Sequence, residues 1–98
     1  MLGQKHKKSM AEVIYTERFT DDFLLVYSDR IRETINNLLF LLEIAPESGS
    51  KQLPDSLIQE FGTGIRKFAI EPFDLIYEYF PEKDEVDVYA LIHQKRIW

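Results

Sequence analysis

The sequence contains no cysteine among its 98 residues, which excludes disulfide bonds and thiolate metal sites. It also lacks a long hydrophobic run: the longest, NLLFLLEIA, is interrupted by Glu43 and is far shorter than the ~20 residues that cross a bilayer. The only two histidines are His6 and His93, and the carboxylates do not have the spacing of a calcium-binding loop. We therefore predict a cytoplasmic protein with no membrane contact, no metal and no cofactor.

Positive charge is scarce as well, since 12 lysines and arginines are outnumbered by 17 aspartates and glutamates. Domains that bind nucleic-acid backbone usually concentrate positive charge on one face, so this balance argues against direct binding of free RNA or DNA. A basic cluster near the amino terminus, KHKK, lies within residues 1–10. We interpret that stretch as a flexible basic leader, followed by a single domain over residues 11–98.

The rest of the chain has the apolar patterns of regular secondary structure. AEVIYT (residues 11–16) predicts a first strand, and Thr20 and Ser28 are N-cap candidates for two helices, the second ending near Pro46. The two helices form either a hairpin or one bent rod. A polar connection then leads, through a helical turn, to three strands, IRKFAIE, FDLIYEYF and EVDVYALI. This order, β-α-α-β-β-β, predicts an α+β fold whose last three strands form an antiparallel meander with both helices on one face.

The turns at Pro72 and PEKD indicate a strand register, with Glu71 opposite Asp74 and Phe80 opposite Glu85. Strict alternation from this register places one apolar face against the helices and leaves an open face that is aromatic and acidic. The predicted core face comprises Phe68, Ile70, Phe73, Leu75, Tyr77, Tyr79, Val86, Val88, Ala90 and Ile92. The predicted open face comprises Lys67, Asp74, Ile76, Glu78, Phe80, Glu85, Asp87, Tyr89, Leu91 and His93. On that face Asp74 lies diagonal to His93, and Glu78 lies opposite Asp87, with Lys67 as their predicted counter-ion.

Four segments, in this order and spacing, resemble a known family. They are VIYTERFTDDF, APESGSKQL, IRKFAIEPFDLIYEYF and VDVYALIHQKR, which together extend from about Ala11 to Arg96. The chain resembles the RelE/ParE superfamily of bacterial toxins from two-gene toxin–antitoxin modules, which includes plasmid stabilization system proteins. The resemblance implies a small growth-inhibiting α/β toxin that is neutralised by an antitoxin whose carboxy-terminal segment wraps around it.

The superfamily has two activities, and one residue distinguishes them here. RelE-like members cut messenger RNA in the ribosomal A site with basic residues on the open face of the sheet, whereas ParE-like members inhibit DNA gyrase. The nuclease pattern is aromatic-Arg-aliphatic-aliphatic-Tyr, but the corresponding stretch is FDLIY, with Asp74 in the arginine position. A carboxylate cannot hold a phosphate or stabilise the negative charge of the transition state. We therefore favour the ParE-like branch, a binding toxin rather than an enzyme.

The candidate site residues follow from these two activities. If the protein is a ribosome-dependent nuclease, the catalytic set implied by the resemblance is His93, Arg96 and Lys67, with His93 as general acid or base. If it acts by binding, the open face and the last strand form the docking surface, and Trp98 either packs on the fold or anchors a partner. A third alternative is a non-toxic binding module of the same fold. The predicted partner-binding residues are Asp74, Tyr89, His93, Lys95, Arg96 and Trp98.

Overall fold

The computed structural model describes residues 10–96 of the chain. Of the predicted leader only Met10 is among the described residues. Trp98 lies outside them. The elements in chain order are β1 (Glu12–Tyr15), α1 (Glu17–Leu24), α2 (Asp29–Ile44), α3 (Asp55–Phe61), β2 (Ile65–Ile70), β3 (Phe73–Phe80), β4 (Glu85–His93) and a 3-10 turn (Gln94–Arg96).

The four strands form one sheet in the order β1-β4-β3-β2. The strands β2, β3 and β4 form the predicted antiparallel meander, and the predicted α+β class is confirmed. The sheet is nevertheless mixed, because β1 pairs with β4 in parallel. The helices α1 and α2 connect β1 to β2 at the opposite edge of the sheet, which allows β1 to lie beside β4 in the same direction.

The two long helices begin at side-chain caps. Thr16 caps α1, since its Oγ1 accepts a hydrogen bond from the Phe19 N–H at 3.0 Å, so the predicted cap at Thr20 is wrong. The Thr16 hydroxyl also donates to the Tyr89 carbonyl at 2.8 Å, and thereby fixes the start of α1 to β4. Ser28 caps α2 as predicted. Residues 25–28 separate the helices, which excludes the single bent rod.

The main core lies between the sheet and the pair of helices. Because α2 buries residues three and four positions apart, it presents one apolar stripe to the sheet. Tyr77 is the largest fully buried side chain in this layer. The buried members of this core are Ala11, Phe19, Val26, Ile35, Leu39, Leu42, Ile70, Leu75, Tyr77, Val86, Val88 and Leu91.

The opposite face of the sheet is covered in part by α3. The sequence predicted only a helical turn here, but Leu57 and Phe61 of α3 pack on Ile65, Ile76 and the second half of β4. Arg18 of α1 also contacts this helix, with its guanidinium 2.5 Å from Glu60 and 5.3 Å from the centre of the Phe61 ring. We call this side the α3 face and the other side the helix-pair face.

The register differs from the predicted one at two places. The β2–β3 turn lies one residue earlier than predicted, since Ile70 pairs with Phe73. The resulting two-residue shift in pairing leaves the same side chains on each face. In β4, Tyr77 pairs with Val88 whereas Ile76 pairs with Ala90, so Tyr89 is an extra, bulged residue. The bulge inverts the alternation beyond it. Ala90 and Ile92 lie on the α3 face, and Leu91 and His93 lie on the helix-pair face, contrary to the prediction for all four.

Replacing Tyr77 by phenylalanine is expected to destabilise the fold by about 1–3 kcal/mol, the usual cost of leaving a buried polar group unsatisfied. The Tyr77 hydroxyl accepts the buried Gly49 N–H at 2.8 Å, and a Cβ at Gly49 would lie 2.5 Å from that oxygen. Urea unfolding measures the effect, with Tyr79→Phe as the control, because the Tyr79–Asp84 bond is only partly buried. Equal losses in the two variants would contradict the prediction.

Candidate functional site

The carboxyl end of β4 leads into a short basic stretch, residues 93–96, which we call the terminal basic segment. Lys95 and Arg96 are exposed in its 3-10 turn. Gln94 attaches the segment to the β2–β3 hairpin, because its backbone N–H donates to the Pro72 carbonyl at 2.8 Å. The Gln94 side chain also donates to the Phe73 carbonyl at 3.3 Å and to Asp74 Oδ1 at 3.0 Å. The segment is therefore held by main-chain and side-chain contacts.

Asp74 is the buried member of this group of contacts. It is 0% exposed, and Lys67 Nζ lies 3.6 Å from its Oδ1 in a side chain that is only 15% exposed. The residue that stands in the nuclease arginine position is thus a buried carboxylate in an ion pair. Because it is enclosed, it cannot contact a partner directly while the fold is intact.

His93 does not lie beside Asp74, so the predicted diagonal pair is wrong. The bulge directs His93 to the helix-pair face, where its ring meets the Phe73 ring edge-on at 5.5 Å between centroids. Its Nδ1 accepts a hydrogen bond from the Lys95 N–H at 3.2 Å, which orients the imidazole and leaves Nε2 for other contacts. His93 and Arg96 line one depression of about 140 Å³, together with Asp22, Leu25, Phe73 and Leu91.

Lys67 belongs to a different depression on the α3 side. This second depression, of about 650 Å³, is lined by Lys67, Ala69, Glu71, Gln94 and Lys95. Lys67 stands opposite Ile76 in the register, on the face where Asp74 lies, whereas His93 stands opposite Phe73 on the other face. The structure therefore brings His93 and Arg96 together but separates both from Lys67.

Tyr89, another predicted partner-binding residue, is half-buried on the α3 face. Its ring stacks on Phe61 at 5.8 Å, and its hydroxyl donates to Glu78 Oε1 at 2.9 Å. Burial and the hydrogen bond to Glu78 raise the pKa of Tyr89. Glu78 pairs with Asp87 as predicted, but Lys67, their predicted counter-ion, pairs with Asp74 instead. Trp98, the remaining predicted contact, lies outside the described residues.

Glu85→Gln is expected to raise the thermal unfolding midpoint at neutral pH and to change it little near pH 4, about the ordinary pKa of a glutamate. The hydrogen bond with Asp87, burial and the charge of Asp87 all raise the pKa of Glu85, so folding favours its protonated form. That stabilisation is present below the ordinary pKa and is lost as pH rises through the folded-state pKa. The amide of glutamine resembles the protonated carboxyl at every pH.

Thermal unfolding from about pH 4 to neutral pH measures this change, against the exposed turn residue Glu82 replaced by glutamine. A neutral-pH midpoint for Glu85→Gln at or below that of the unmodified protein would contradict the prediction.

Exposed apolar side chains lie at and just after the end of α1, and one of them, Leu25, lies beside the terminal basic segment. The sequence analysis did not identify them. Leu24, Leu25 and Tyr27 are 69%, 70% and 88% exposed, and Leu25 lines the same depression as His93 and Arg96. The available signal was the run of five consecutive apolar residues in FLLVY, since residues adjacent in sequence cannot all lie on one buried face of a helix. We call Leu24, Leu25, Tyr27, His93, Lys95 and Arg96 the terminal docking surface.

A separate apolar groove of about 200 Å³ runs between the helices beside β1. Its lining is Tyr15, Phe19, Thr20, Phe23, Asn36 and Leu39. The exposed Phe40 follows Asn36 by one helical turn.

Over residues 10–96, no helix is long and apolar enough to cross a membrane. The same residues contain no group of three or more histidine and carboxylate side chains arranged to hold a metal ion.

A mixed four-stranded sheet, a helix pair on one face and a basic segment after the last strand define a class of protein, the RelE/ParE-type toxin of type II toxin–antitoxin systems. The family model described as the ParE toxin of the type II toxin–antitoxin system parDE matches residues 13–98, and the chain belongs to this family. The resemblance inferred from the sequence is thereby confirmed. No curated protein matches the sequence significantly.

Solved structures share the fold at low sequence identity. The intact RelBE toxin–antitoxin complex of E. coli aligns with a TM-score of 0.64 and 16% identity, over 85% of this chain and 95% of that chain. The RelBE2 toxin–antitoxin complex of Mycobacterium tuberculosis aligns with a TM-score of 0.67 and 19% identity, over 86% and 98%. The isolated E. coli RelE toxin gives 0.63 and 17%, over 85% and 83%. At these identities the likeness establishes the fold.

Proposed function

We propose that this type II toxin acts in the cytoplasm by binding DNA gyrase and blocking its supercoiling activity, without cutting RNA. The observation that carries this proposal is Asp74. A carboxylate that is fully buried and paired with Lys67 occupies the position where the nuclease pattern has an arginine. Neither the charge nor the exposure of this position suits phosphate binding.

The separation of the basic residues supports the same proposal. Lys67 opens to the α3 side, while His93 and Arg96 share the depression on the helix-pair side. General acid–base catalysis needs its groups within hydrogen-bond reach of one reacting atom. Three residues divided between two sides of the sheet do not meet that requirement.

The terminal docking surface supports binding as the mode of action. It combines exposed aliphatic and aromatic side chains with three basic residues, in a chain whose net charge is −5. Large apolar side chains surrounded by charged ones are typical of protein contact sites. We propose that this surface engages gyrase. Trp98, which follows it by two residues, is part of the proposed contact.

A cognate antitoxin is the second proposed partner, since two of the structural relatives are toxin–antitoxin complexes. The groove between α1 and α2 is apolar, and we propose that it receives the apolar face of an amphipathic antitoxin helix. Such a helix would place side chains at intervals of three and four residues along the groove.

The test is a supercoiling assay with purified gyrase, paired with a translation reaction in which messenger RNA cleavage is mapped. Inhibited supercoiling with intact messages is the expected result. Cleavage at codon positions that is lost in His93→Ala would instead establish the ribosome-dependent nuclease, which the shared depression of His93 and Arg96 keeps as the second candidate. Normal supercoiling and intact messages together would indicate a non-toxic binding module.

A further inference from the structure

We infer that Asp74 is a positioning residue, which holds the terminal basic segment in the geometry that docking requires. The inference rests on the proposed function, because it assigns to Asp74 a role in the proposed docking surface. Asp74 itself is fully buried, so it is not available to contact another protein directly. It acts through Gln94, whose side-chain amide donates to Asp74 Oδ1 at 3.0 Å.

The terminal basic segment is attached to the hairpin through one residue, Gln94. Gln94 is the first residue after β4, and Lys95 and Arg96, the exposed cations, follow it directly. Because the 3-10 turn is only three residues long and buries none of them, it has no core of its own to hold it in place. The described contacts that attach it to the hairpin are the Gln94 side-chain bonds and its backbone bond to Pro72, and the Lys95–His93 bond lies within the segment.

Lys67 completes the arrangement by neutralising Asp74. Its ammonium lies 3.6 Å from the same Oδ1 that accepts from Gln94, and a buried carboxylate is tolerated when a cation and hydrogen bonds satisfy it. The acceptor for Gln94 is therefore paired with a cation from the neighbouring strand. Holding Gln94 in one rotamer lowers the entropic cost of ordering Lys95 and Arg96 when a partner binds.

A double replacement separates positioning from stability. Asp74→Leu with Lys67→Met substitutes apolar side chains for the ion pair, a change that often preserves or raises stability. We expect this variant to keep the fold while it removes the Asp74 oxygen, the nearer of the two acceptors of the Gln94 side chain. Asp74→Asn with Lys67→Met also removes both charges, yet the asparagine oxygen can still accept from Gln94. Gln94→Met leaves the ion pair in place and removes the side-chain bonds to Asp74 and to the Phe73 carbonyl. It provides a second test if the first variant fails to fold.

The direct measurement is amide hydrogen exchange of Gln94 and Lys95 in the full chain, and the functional one is inhibition of purified gyrase. We expect the Leu/Met and Gln94→Met variants to exchange about tenfold faster at these amides and to inhibit gyrase about tenfold less, with thermal unfolding midpoints at or near that of the unmodified protein. The Asn/Met variant should recover most of both properties. Tyr79→Phe, which removes a hydrogen bond far from the segment, should change neither.

Unchanged exchange at Gln94 and Lys95 in the Leu/Met variant would overturn the inference, as would an Asn/Met variant no better than Leu/Met. If the unmodified toxin does not inhibit gyrase, the proposed function fails, but the exchange comparison still decides whether Asp74 anchors the segment. A failure of the proposed gyrase inhibition is therefore distinguishable from a failure of the inferred role of Asp74.

Discussion

Lys67→Met lowers the free energy of unfolding by about 3–5 kcal/mol, the typical cost of leaving one member of a buried ion pair without its counter-charge. Asp74 is completely enclosed, and the Lys67 ammonium is 3.6 Å from its Oδ1. After the replacement, the Gln94 amide still donates to Asp74, but a neutral donor does not replace the missing positive charge. A loss of this size is a large fraction of the stability of a small domain.

Urea unfolding at neutral pH measures this loss, and Lys51→Met is the matched control because Lys51 is exposed. The combined Lys67→Met and Asp74→Leu variant should recover most of the loss, since it removes the buried carboxylate together with the lysine. A Lys67→Met variant as stable as the control would show that Asp74 is satisfied without Lys67. Non-additivity of the two replacements measures their coupling directly.

Reversing both exposed charges of the terminal basic segment, Lys95→Glu with Arg96→Glu, should weaken gyrase inhibition roughly a hundredfold. The physical reason is electrostatic: contacts between like charges across an interface cost several kcal/mol, and attraction between opposite charges also speeds the encounter. Both side chains are exposed, so the fold should be unaffected. Inhibition should also depend less on salt concentration, because the variant lacks the two positive charges whose attraction to a partner is screened by salt.

The control for this experiment is a change of equal total charge elsewhere on the surface. Lys51→Glu, Gln52→Glu and Gln59→Glu together alter the net charge by the same amount at exposed positions of the connection before β2. Titrating both variants in the supercoiling assay compares a local effect with an overall one. Equal weakening by the two variants would refute a localised docking surface and leave only net charge as the cause.

The position of α3 determines which part of the sheet is covered. It covers the central part of the sheet on the side that alternation had predicted to be open, and Tyr89 stacks beneath it on Phe61. Exposed apolar side chains lie instead at and after the end of α1 and on α2, and the groove between these helices is also apolar. The two surfaces are separate, so the proposed gyrase and antitoxin contacts use different parts of the molecule.

Much of the fold was predictable from local signals. The second helix, its cap at Ser28 and the three-strand meander follow from apolar periodicity and turn residues, which act over a few positions. The wrong cap at Thr20 has a specific cause. Thr16 competes for the same role and gains a second hydrogen bond to the Tyr89 carbonyl, 73 positions away in sequence, which no local pattern reveals.

The candidate site was less predictable, because a single extra residue in β4 changes every orientation beyond it. Strict alternation placed His93 beside Asp74, but the bulge at Tyr89 moves it to the other face. The bulge is supported from outside the strand, since Asp22 of α1 accepts the Leu91 N–H at 3.0 Å. A sequence carries no local sign of a bulge whose supporting partner lies in a distant helix.

The sequence by itself therefore determined the class of the protein, the order of its elements and the substitution of an aspartate at the nuclease arginine position. These depend on residue identity and short-range spacing. Only the tertiary structure decided that Asp74 is buried with Lys67, that His93 and Lys67 face opposite sides, and that α3 covers the sheet. Those features depend on contacts between segments far apart in the chain, where packing and hydrogen bonding override local alternation.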